Sequence, residues 1–278
     1  MRFYEFRFEP IEGESLMDLL VGELLEYGFE SFSEEENMLI AYLPESGYRN
    51  NLLKDLDFFK DHPGVKISED LLEDKNWNEE WERNYQPVTI AGKCHVRAPF
   101  HEPEPGILFE IVIEPKMAFG TAHHETTQLM ATWLMDLEVR GKEVLDMGCG
   151  TGILAILANK MGARCVIGID NDEWAWQNAL ENFRLNGVES GEVIHGDSHQ
   201  IESGRYDLIL ANINRNILLQ DLEIYTRGLK KGGQILLSGF YESDRNAIEM
   251  ESLEAGLNFT GIRTLNNWAV MLFKKEQA

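Results

Sequence analysis

Three glycines at alternate positions follow a short apolar segment near the middle of the chain. The run Asp146-Met147-Gly148-Cys149-Gly150-Thr151-Gly152 comes after Val144-Leu145 and precedes the apolar segment 153–158. This context predicts a strand, a tight turn and a helix, and glycine in such a turn lets a ligand approach the main chain closely. The next predicted strand ends at Asp170, where a carboxylate at the sheet edge can accept both ribose hydroxyls of an adenosine.

The spacing of these glycines favours one class of cofactor over another. Dinucleotide-binding loops prefer G-x-G-x-x-G, whereas the third glycine here comes one position early and is followed by Ile153. An acid in the turn would oppose a pyrophosphate but can hold the ammonium of a methionyl group. We therefore expect S-adenosylmethionine, with a dinucleotide as the alternative. The expected contacts are Asp146, Gly148, Gly150, Gly152 and Asp170.

Polar residues also follow the third and fourth predicted strands of this region. Asp197 is expected to accept a hydrogen bond from the adenine amino group, unless it is only a turn carboxylate in water. Asn212 can align a neutral amine through its amide oxygen, which is a positioning role in an in-line displacement. Capping of the next helix is the alternative for such asparagines, and we expect it of Asn214 or Asn216.

An attacking amine must first lose its proton, and the sequence contains no evident catalytic base. His123 and His124 are weak candidates, because a histidine pair in a loop is more often structural. Desolvation beside a positive sulfonium would lower the pKa of the amine. We therefore hypothesise that the proton passes to water before the site closes.

Alternating strands and helices are expected to position these residues. From about residue 85 the chain alternates strand-like and helix-like segments, and it closes with two strands joined by Asn266-Asn267, a turn that suits a hairpin. This alternation predicts an α/β fold with a doubly wound, mostly parallel sheet and an antiparallel end. The methyltransferase domain is expected to span residues 87–278.

The first 70 residues predict a separate small domain. Their patterns give the order strand, helix, strand, strand, helix, strand, which indicates a ferredoxin-like α+β domain. The second of these helices is predicted over Tyr48–Phe59, and the last strand over Val65–Ile67. Residues 71–86 carry Trp77 and Trp81 four positions apart, on one face of a predicted linker helix.

Composition and charge restrict the classes of partner. The 278 residues include 48 acidic and 25 basic side chains, for a net charge of −23. Such a chain repels nucleic-acid phosphates and attracts basic partners, so we expect no direct sequence-specific binding of nucleic acid. Without an apolar run of about 18 residues or a signal-peptide core, we expect a cytoplasmic protein that does not engage a membrane. The spacing of Cys94, Cys149 and Cys165 suggests neither disulfides nor a metal site.

Five segments together carry a resemblance that covers nearly the whole chain. They are Asn76–Trp81, Phe119–Thr127, Asp146–Leu154, Gly168–Asp172 and Ala211–Ile213. The chain resembles the bacterial methyltransferases that act on ribosomal protein eleven of the large subunit (PrmA-type). This implies a Rossmann-like class I methyltransferase domain and an N-terminal domain that recognises the ribosomal protein. It also implies methylation of lysine ε-amino groups and of the N-terminal α-amino group. Implied cofactor contacts are Thr127, Gly148, Asp170 and Asn212.

The chain departs from the family pattern at two positions. Ala122 replaces the usual glycine and Glu125 the usual proline, and Ala122 would be strained if its position needs a positive φ. The alternative function is methylation of another protein amine or amide, such as a glutamine side chain. Enzymes of that kind show Asn-Pro-Pro-Tyr at the end of the fourth strand, whereas this chain has Asn212-Ile213-Asn214-Arg215.

Overall fold

A computed structural model describes residues 3–11, 14–35, 37–49, 52–56, 58–72, 85–115 and 120–276. The chain divides into two compact units, Met1–Trp77 and Asn78–Ala278. The expected linker helix with Trp77 and Trp81 lies outside the described residues, and so does Phe119. The boundaries at residues 70 and 86 therefore stay predictions.

The first unit is a four-stranded antiparallel sheet with helices in its connections. Its strands follow the order β2-β3-β1-β4, as expected of the ferredoxin-like arrangement. The core contains Phe6, Phe8, Leu20 and Leu24. The elements are β1 (Phe3–Glu9), α1 (Glu14–Glu26), β2 (Ser31–Glu35), β3 (Met38–Pro44), α2 (Phe58–Asp61) and β4 (Lys66–Leu72).

The second half of this unit differs from the predicted elements. The predicted helix Tyr48–Phe59 is instead a 3-10 turn at Leu52–Asp55 followed by the four-residue α2. Leu56 and Phe58 are both buried, and two residues apart they cannot share one face of a continuous helix. The last strand, predicted over three residues, continues to Leu72 because it pairs with β1 along its whole length.

The second unit contains the predicted doubly wound sheet. Seven strands lie in the order β10-β9-β8-β11-β12-β14-β13, and only the pairs formed by β14 are antiparallel. This confirms the expected α/β class with an antiparallel end. The strands are β8 (Glu143–Met147), β9 (Cys165–Asp170), β10 (Gly191–His195), β11 (Tyr206–Asn212), β12 (Leu229–Tyr241), β13 (Leu257–Leu265) and β14 (Trp268–Lys275).

Helices cover both faces of this sheet. Val144 and Leu145 are neighbours in β8, yet they belong to different apolar cores on opposite faces. Strands buried on both faces explain why β8, β9 and β11 are nearly continuous apolar runs. The helices are α3 (Glu125–Leu134), α4 (Ile153–Lys160), α5 (Glu173–Leu185), α6 (Arg215–Gly228) and α7 (Arg245–Glu254). Among the residues described, no helix is long and apolar enough to cross a membrane.

A smaller sheet precedes α3 in the second unit. It consists of β5 (Val88–Ile90), β6 (Cys94–Arg97) and β7 (Phe109–Val112). Two asparagines of α5, and Asn186 directly after its end, bond to the backbone at the end of this sheet. Asn186 accepts from Val112 N at 2.9 Å, and Asn182 accepts from Glu114 N at 2.8 Å while its Nδ2 donates to Thr151 O at 2.9 Å. Asn178 Nδ2 donates to Glu114 O at 3.2 Å. The smaller sheet is thereby tied to the glycine loop.

Candidate active site

A cavity of about 520 Å³ opens at the carboxyl edge of the large sheet. Parallel sheets bind ligands at this edge, where polar strand ends and helix starts converge. The lining comes from the ends of β8, β9, β11 and β12 and from the first residue of β14. The lining residues are His124, Thr126, Gly148, Gly150, Asp170, Asn171, Asp172, Ala175, Asn212, Ile213, Asn214, Ile217, Gly239 and Trp268.

The glycine loop forms one side of this cavity through its main chain. Gly148 and Gly150 have φ of 66° and 55°, values that glycine adopts at little cost. A Cβ atom at Gly148 would overlap Cγ2 of Ile213, so side chain and backbone strain both exclude other residues. The N–H groups of Gly148 and Cys149 donate to the carbonyl of Ile169 at 2.8 and 3.1 Å. The loop is therefore held against the end of β9.

Asp170 connects the loop to the next helix. Its Oδ2 accepts from Gly150 N at 2.8 Å and its Oδ1 from Asp172 N at 3.0 Å. The residue is only 8% exposed, yet it lines the cavity. Each carboxylate oxygen offers about two acceptor sites, so each retains one for a ligand hydroxyl.

Asp146 lies beneath the loop, not in the cavity lining. It is 2% exposed, and its Oδ2 accepts from Ala155 N of α4 at 3.0 Å. Burial raises the pKa of Asp146 to about 8, against the lowering effect of that hydrogen bond, and the nearby Asp170 charge raises the pKa further. The carboxyl is thus mostly neutral at pH 7. That Asp146 holds the ammonium of a methionyl group stays a prediction, for a residue whose side chain bonds to α4 and lies outside the lining.

Gly152 and Asp197 also lie outside the lining. Gly152 has φ of 78° at the N-cap of α4, and a Cβ there would lie 2.9 Å from Cε1 of Phe183. Its role is close packing of helix against helix. Asp197 is exposed and caps the short turn 198–200, accepting from His199 N at 2.9 Å and pairing with the His199 ring at 3.0 Å. The hydrogen bonds with His199 lower the pKa of Asp197.

Two buried oxygen atoms stand out by the hydrogen bonds they lack. Oδ1 of Asn212 and Oγ1 of Thr127 are buried and have no partner within the part of the chain that the structure describes. Leaving such a group unsatisfied costs about 1–3 kcal/mol. Two buried hydroxyl oxygens elsewhere among the described residues share this state, and of the residues with such an oxygen only Asn212 lines the cavity, where a ligand could supply the partner. Asn212 and Asn214 both line the cavity, and Asn214 also caps α6 by accepting from Asn216 N at 2.9 Å. The capping role expected of Asn214 or Asn216 thus belongs to Asn214.

The opposite side of the cavity was not expected from the sequence. Trp268 opens β14 and lines the cavity, together with Ile217 and Gly239. His124, considered as a base, is the N-cap of α3, and its Nδ1 accepts from Thr126 N at 3.2 Å. Its ring meets that of Trp268 edge-on, with centroids 4.8 Å apart. The turn at Asn266-Asn267 predicted the hairpin that contains Trp268, but it did not indicate that the hairpin would lie beside the cavity.

The segment before α3 is fastened to the glycine loop. Oγ1 of Thr151 donates to Gly120 O at 2.7 Å, and the Tyr85 hydroxyl donates to Thr121 O at 3.0 Å. Ala122 is buried with φ of 70°. The position therefore does have the positive φ that a glycine would adopt freely, and alanine carries strain there.

These features together match an adenosine with a cationic sulfonium better than a dinucleotide. The cavity is lined by the Asp170 carboxylate, the unpartnered oxygen of Asn212 and the main chain at Gly148 and Gly150. Among the described residues, its lining contains the carboxylates of Asp170 and Asp172 and no Lys or Arg, so no side-chain cation there would offset the charge of a pyrophosphate. The donor and acceptor set thus fits S-adenosylmethionine.

Comparison with known proteins agrees with this geometry. Residues 17–276 match the family model described as ribosomal protein L11 methyltransferase (PrmA). Proteins named ribosomal protein L11 methyltransferase from Porphyromonas gingivalis and Bacteroides fragilis are 46% and 44% identical, and the alignments cover 98% of this chain and 98% and 99% of those proteins. The crystal structure of a ribosomal protein L11 methylase from Lactobacillus delbrueckii subsp. bulgaricus aligns with a TM-score of 0.63 at 26% identity, over 69% of this chain and 98% of that one. The chain belongs to the ribosomal protein L11 methyltransferase (PrmA) family.

Proposed function

We propose that this chain transfers methyl groups from S-adenosylmethionine to amino groups of ribosomal protein L11, in particular to lysine ε-amino groups and the N-terminal α-amino group. The observation that carries the proposal is the buried, unpartnered Oδ1 of Asn212 at the cavity. Family membership and the names of the relatives support the choice of substrate.

Residues of the strand ends would hold the cofactor. Bound S-adenosylmethionine supplies an electrophilic methyl group on a positively charged sulfur. Asp170 has one free acceptor site on each oxygen for the ribose hydroxyls. The backbone at Gly148 and Gly150 borders the same space, and the buried hydroxyl of Thr127 is a further contact. Asp197, the proposed acceptor for adenine, keeps an oxygen not engaged by His199.

Asn212 would position the amine that receives the methyl group. Its amide oxygen can accept a hydrogen bond from the N–H of a neutral amine. This leaves the nitrogen lone pair free to point at the methyl carbon, and fixing that direction removes much of the entropic barrier to an in-line displacement. Asn212 supplies no proton transfer, so proton loss to water before closure stays the hypothesis for deprotonation.

Charge supports a basic protein substrate. Residues 1–77 contain 19 acidic and 7 basic side chains, so this unit holds about half of the net charge of −23 in little more than a quarter of the chain. A basic ribosomal protein complements such a surface. We therefore propose that residues 1–70 recognise the substrate, residues 71–86 link the domains and residues 87–278 catalyse the transfer. We place this activity in the cytoplasm, without direct sequence-specific binding of nucleic acid.

Methyl-labelled S-adenosylmethionine, incubated with purified ribosomal protein L11, tests the function. After a parallel reaction with the unlabelled cofactor, intact mass and peptide mapping should show lysine and the N-terminus heavier by about 14 Da for each methyl that replaces a hydrogen. Asn212→Ala should lower kcat by about 10²-fold with a smaller change in the Kd for the cofactor. Label on glutamine would favour the alternative function. The absence of label from every residue of the protein, with the wild-type enzyme folded and cofactor-bound, would refute the proposal.

A further inference from the structure

The strand order separates the cavity into two sides with Asn212 between them. Asp170 ends β9, which lies two strands from β11, where Asn212 ends the strand. Two strands beyond β11, on the other side, lies β14. Because neighbouring strands are about 4.8 Å apart, each side extends roughly 10 Å from Asn212. A nucleoside held at Asp170 therefore leaves the β14 side to the acceptor.

Aromatic rings line that second side. Trp268, the first residue of β14, is paired across the strands with Tyr241, the last residue of β12. Their ring centroids are 4.2 Å apart at an interplanar angle of 32°. His124 packs edge-on against Trp268 from the start of α3. We call His124, Tyr241 and Trp268 the aromatic wall.

The aromatic wall begins in solvent and ends in the cavity. Tyr241 is 49% exposed, whereas Trp268 and His124 line the cavity. Ile217, 47% exposed at the start of α6, adds an apolar side chain to the same lining. An approaching side chain thus meets apolar surface before it reaches the amide oxygen of Asn212.

We infer that the aromatic wall and Ile217 form a subsite for the alkyl stem of the acceptor lysine. This inference rests on the proposed methylation of lysine. In an extended lysine the amino nitrogen lies five bonds and roughly 6 Å from Cα. The strands β14 and β11 are roughly 10 Å apart, and the side chains of the aromatic wall fill part of that distance. The lysine side chain is therefore long enough to cross the remainder and reach Asn212. Lysine stems commonly lie along apolar surface while the amino group stays at a polar site.

The subsite also explains how a lysine would be distinguished from other nucleophiles. A glutamine side chain is shorter and ends in a planar amide, so it would fill less of the wall and bring no basic nitrogen to Asn212. An N-terminal α-amine has no alkyl stem, so its methylation should depend less on the wall.

Three variants and one control test this subsite in the full chain. Trp268→Ala and Tyr241→Ala each remove an aromatic ring that would contact the lysine stem. Each should lower kcat/KM for ribosomal protein L11 by about tenfold, which corresponds to about 1.4 kcal/mol, mainly through a higher KM. Trp268→Phe keeps an aromatic ring and should recover most of the efficiency. Phe100→Ala removes an aromatic residue that is 56% exposed and outside the cavity lining, and it should match the wild type.

Two further readouts distinguish a substrate subsite from a structural role. The Kd for S-adenosylhomocysteine, measured by calorimetry, should stay within about twofold of wild type in each variant that binds it. Peptide mapping should show a larger loss of lysine methylation than of α-amine methylation. Two results would overturn the inference. In the first, Tyr241→Ala and Trp268→Phe match the wild type while Trp268→Ala weakens cofactor binding as much as turnover. In the second, methylation of lysine and methylation of the α-amine fall equally in the variants. Failure of the wild-type enzyme to methylate any lysine would instead overturn the proposed function.

Discussion

The two sides of the cavity are built by different means. Gly148, Gly150 and Asp170 form what we call the glycine wall, and they come from consecutive strand ends within 23 residues of sequence. Backbone geometry shapes this wall: positive φ at the two glycines and two N–H groups fixed on Asp170. The aromatic wall brings the ring of His124 against that of Trp268, 144 positions later in the sequence.

The two walls should therefore tolerate amino-acid substitution to different degrees. A backbone-built wall has no room for an added atom, because a strained turn cannot relax without moving the strands behind it. A wall of rings on strand ends can change shape through its side chains, and the exposed Tyr241 is least constrained. We expect substitutions in the glycine wall to weaken cofactor binding strongly and those in the aromatic wall to lower kcat/KM for the protein substrate by smaller factors.

Gly148→Ala should give the largest effect. The added Cβ would overlap Cγ2 of Ile213 while φ is held at 66°, so the loop must move. Displacement of this order costs about 10²-fold in turnover, and calorimetry should show a comparable loss of cofactor affinity. Gly187→Ala is the matched control, since Gly187 has φ of 65° with nothing near its Cβ position. It should lose only about 1–2 kcal/mol of stability. Equal affinity in both variants would contradict a backbone-built wall.

Asp170→Asn should have the next largest effect. The amide keeps one acceptor oxygen but turns an N–H₂ toward either Gly150 N or Asp172 N, the two donors that the carboxylate now satisfies. Loss of hydrogen bonds to a charged acceptor costs about 1.5–3 kcal/mol, or roughly 10- to 10²-fold in cofactor Kd. Asp197→Asn, at an exposed carboxylate, is the comparison. If the two variants weaken binding equally, Asp197 is as much a part of the nucleoside site as Asp170.

The sequence predicted the glycine wall better than the aromatic wall for a physical reason. Gly148 and Asp170 occupy positions relative to their own strands, and such positions follow from local periodicity. Trp268 became part of the cavity only because β14 pairs with β12 rather than with another strand, which local sequence does not specify. Tertiary burial likewise broke the predicted helix at Leu56 and Phe58. Asp146 was predicted in the turn, whereas the structure places it in β8 with its carboxyl bonded to the start of α4.

Asp146→Asn should have the smallest effect on cofactor affinity and a distinct effect on stability. The neutral carboxyl of Asp146 lies under the loop, so Kd at pH 7 should change by less than about twofold. Burial raises its pKa to about 8, whereas an unfolded aspartate has a pKa of about 3.9. Between those values the folded state retains a proton that the unfolded state has lost. The free energy of unfolding of the wild type should therefore fall with rising pH by up to about 1.4 kcal/mol per unit and level off above pH 8.

The asparagine variant lacks this titration while its amide oxygen still accepts from Ala155 N, the bond that the carboxyl makes at 3.0 Å. Urea unfolding at pH 5, 6, 7 and 8 should then show the variant gaining on the wild type as pH rises. Asp197→Asn serves as the control, because the pKa of Asp197 is lowered rather than raised and the carboxylate is ionised throughout this range. A tenfold loss of cofactor affinity in Asp146→Asn, with no change in the pH dependence of stability, would return Asp146 to the glycine wall as a ligand of the methionyl ammonium. The comparison would then change, because the glycine wall would bind through a side-chain charge as well as through its backbone.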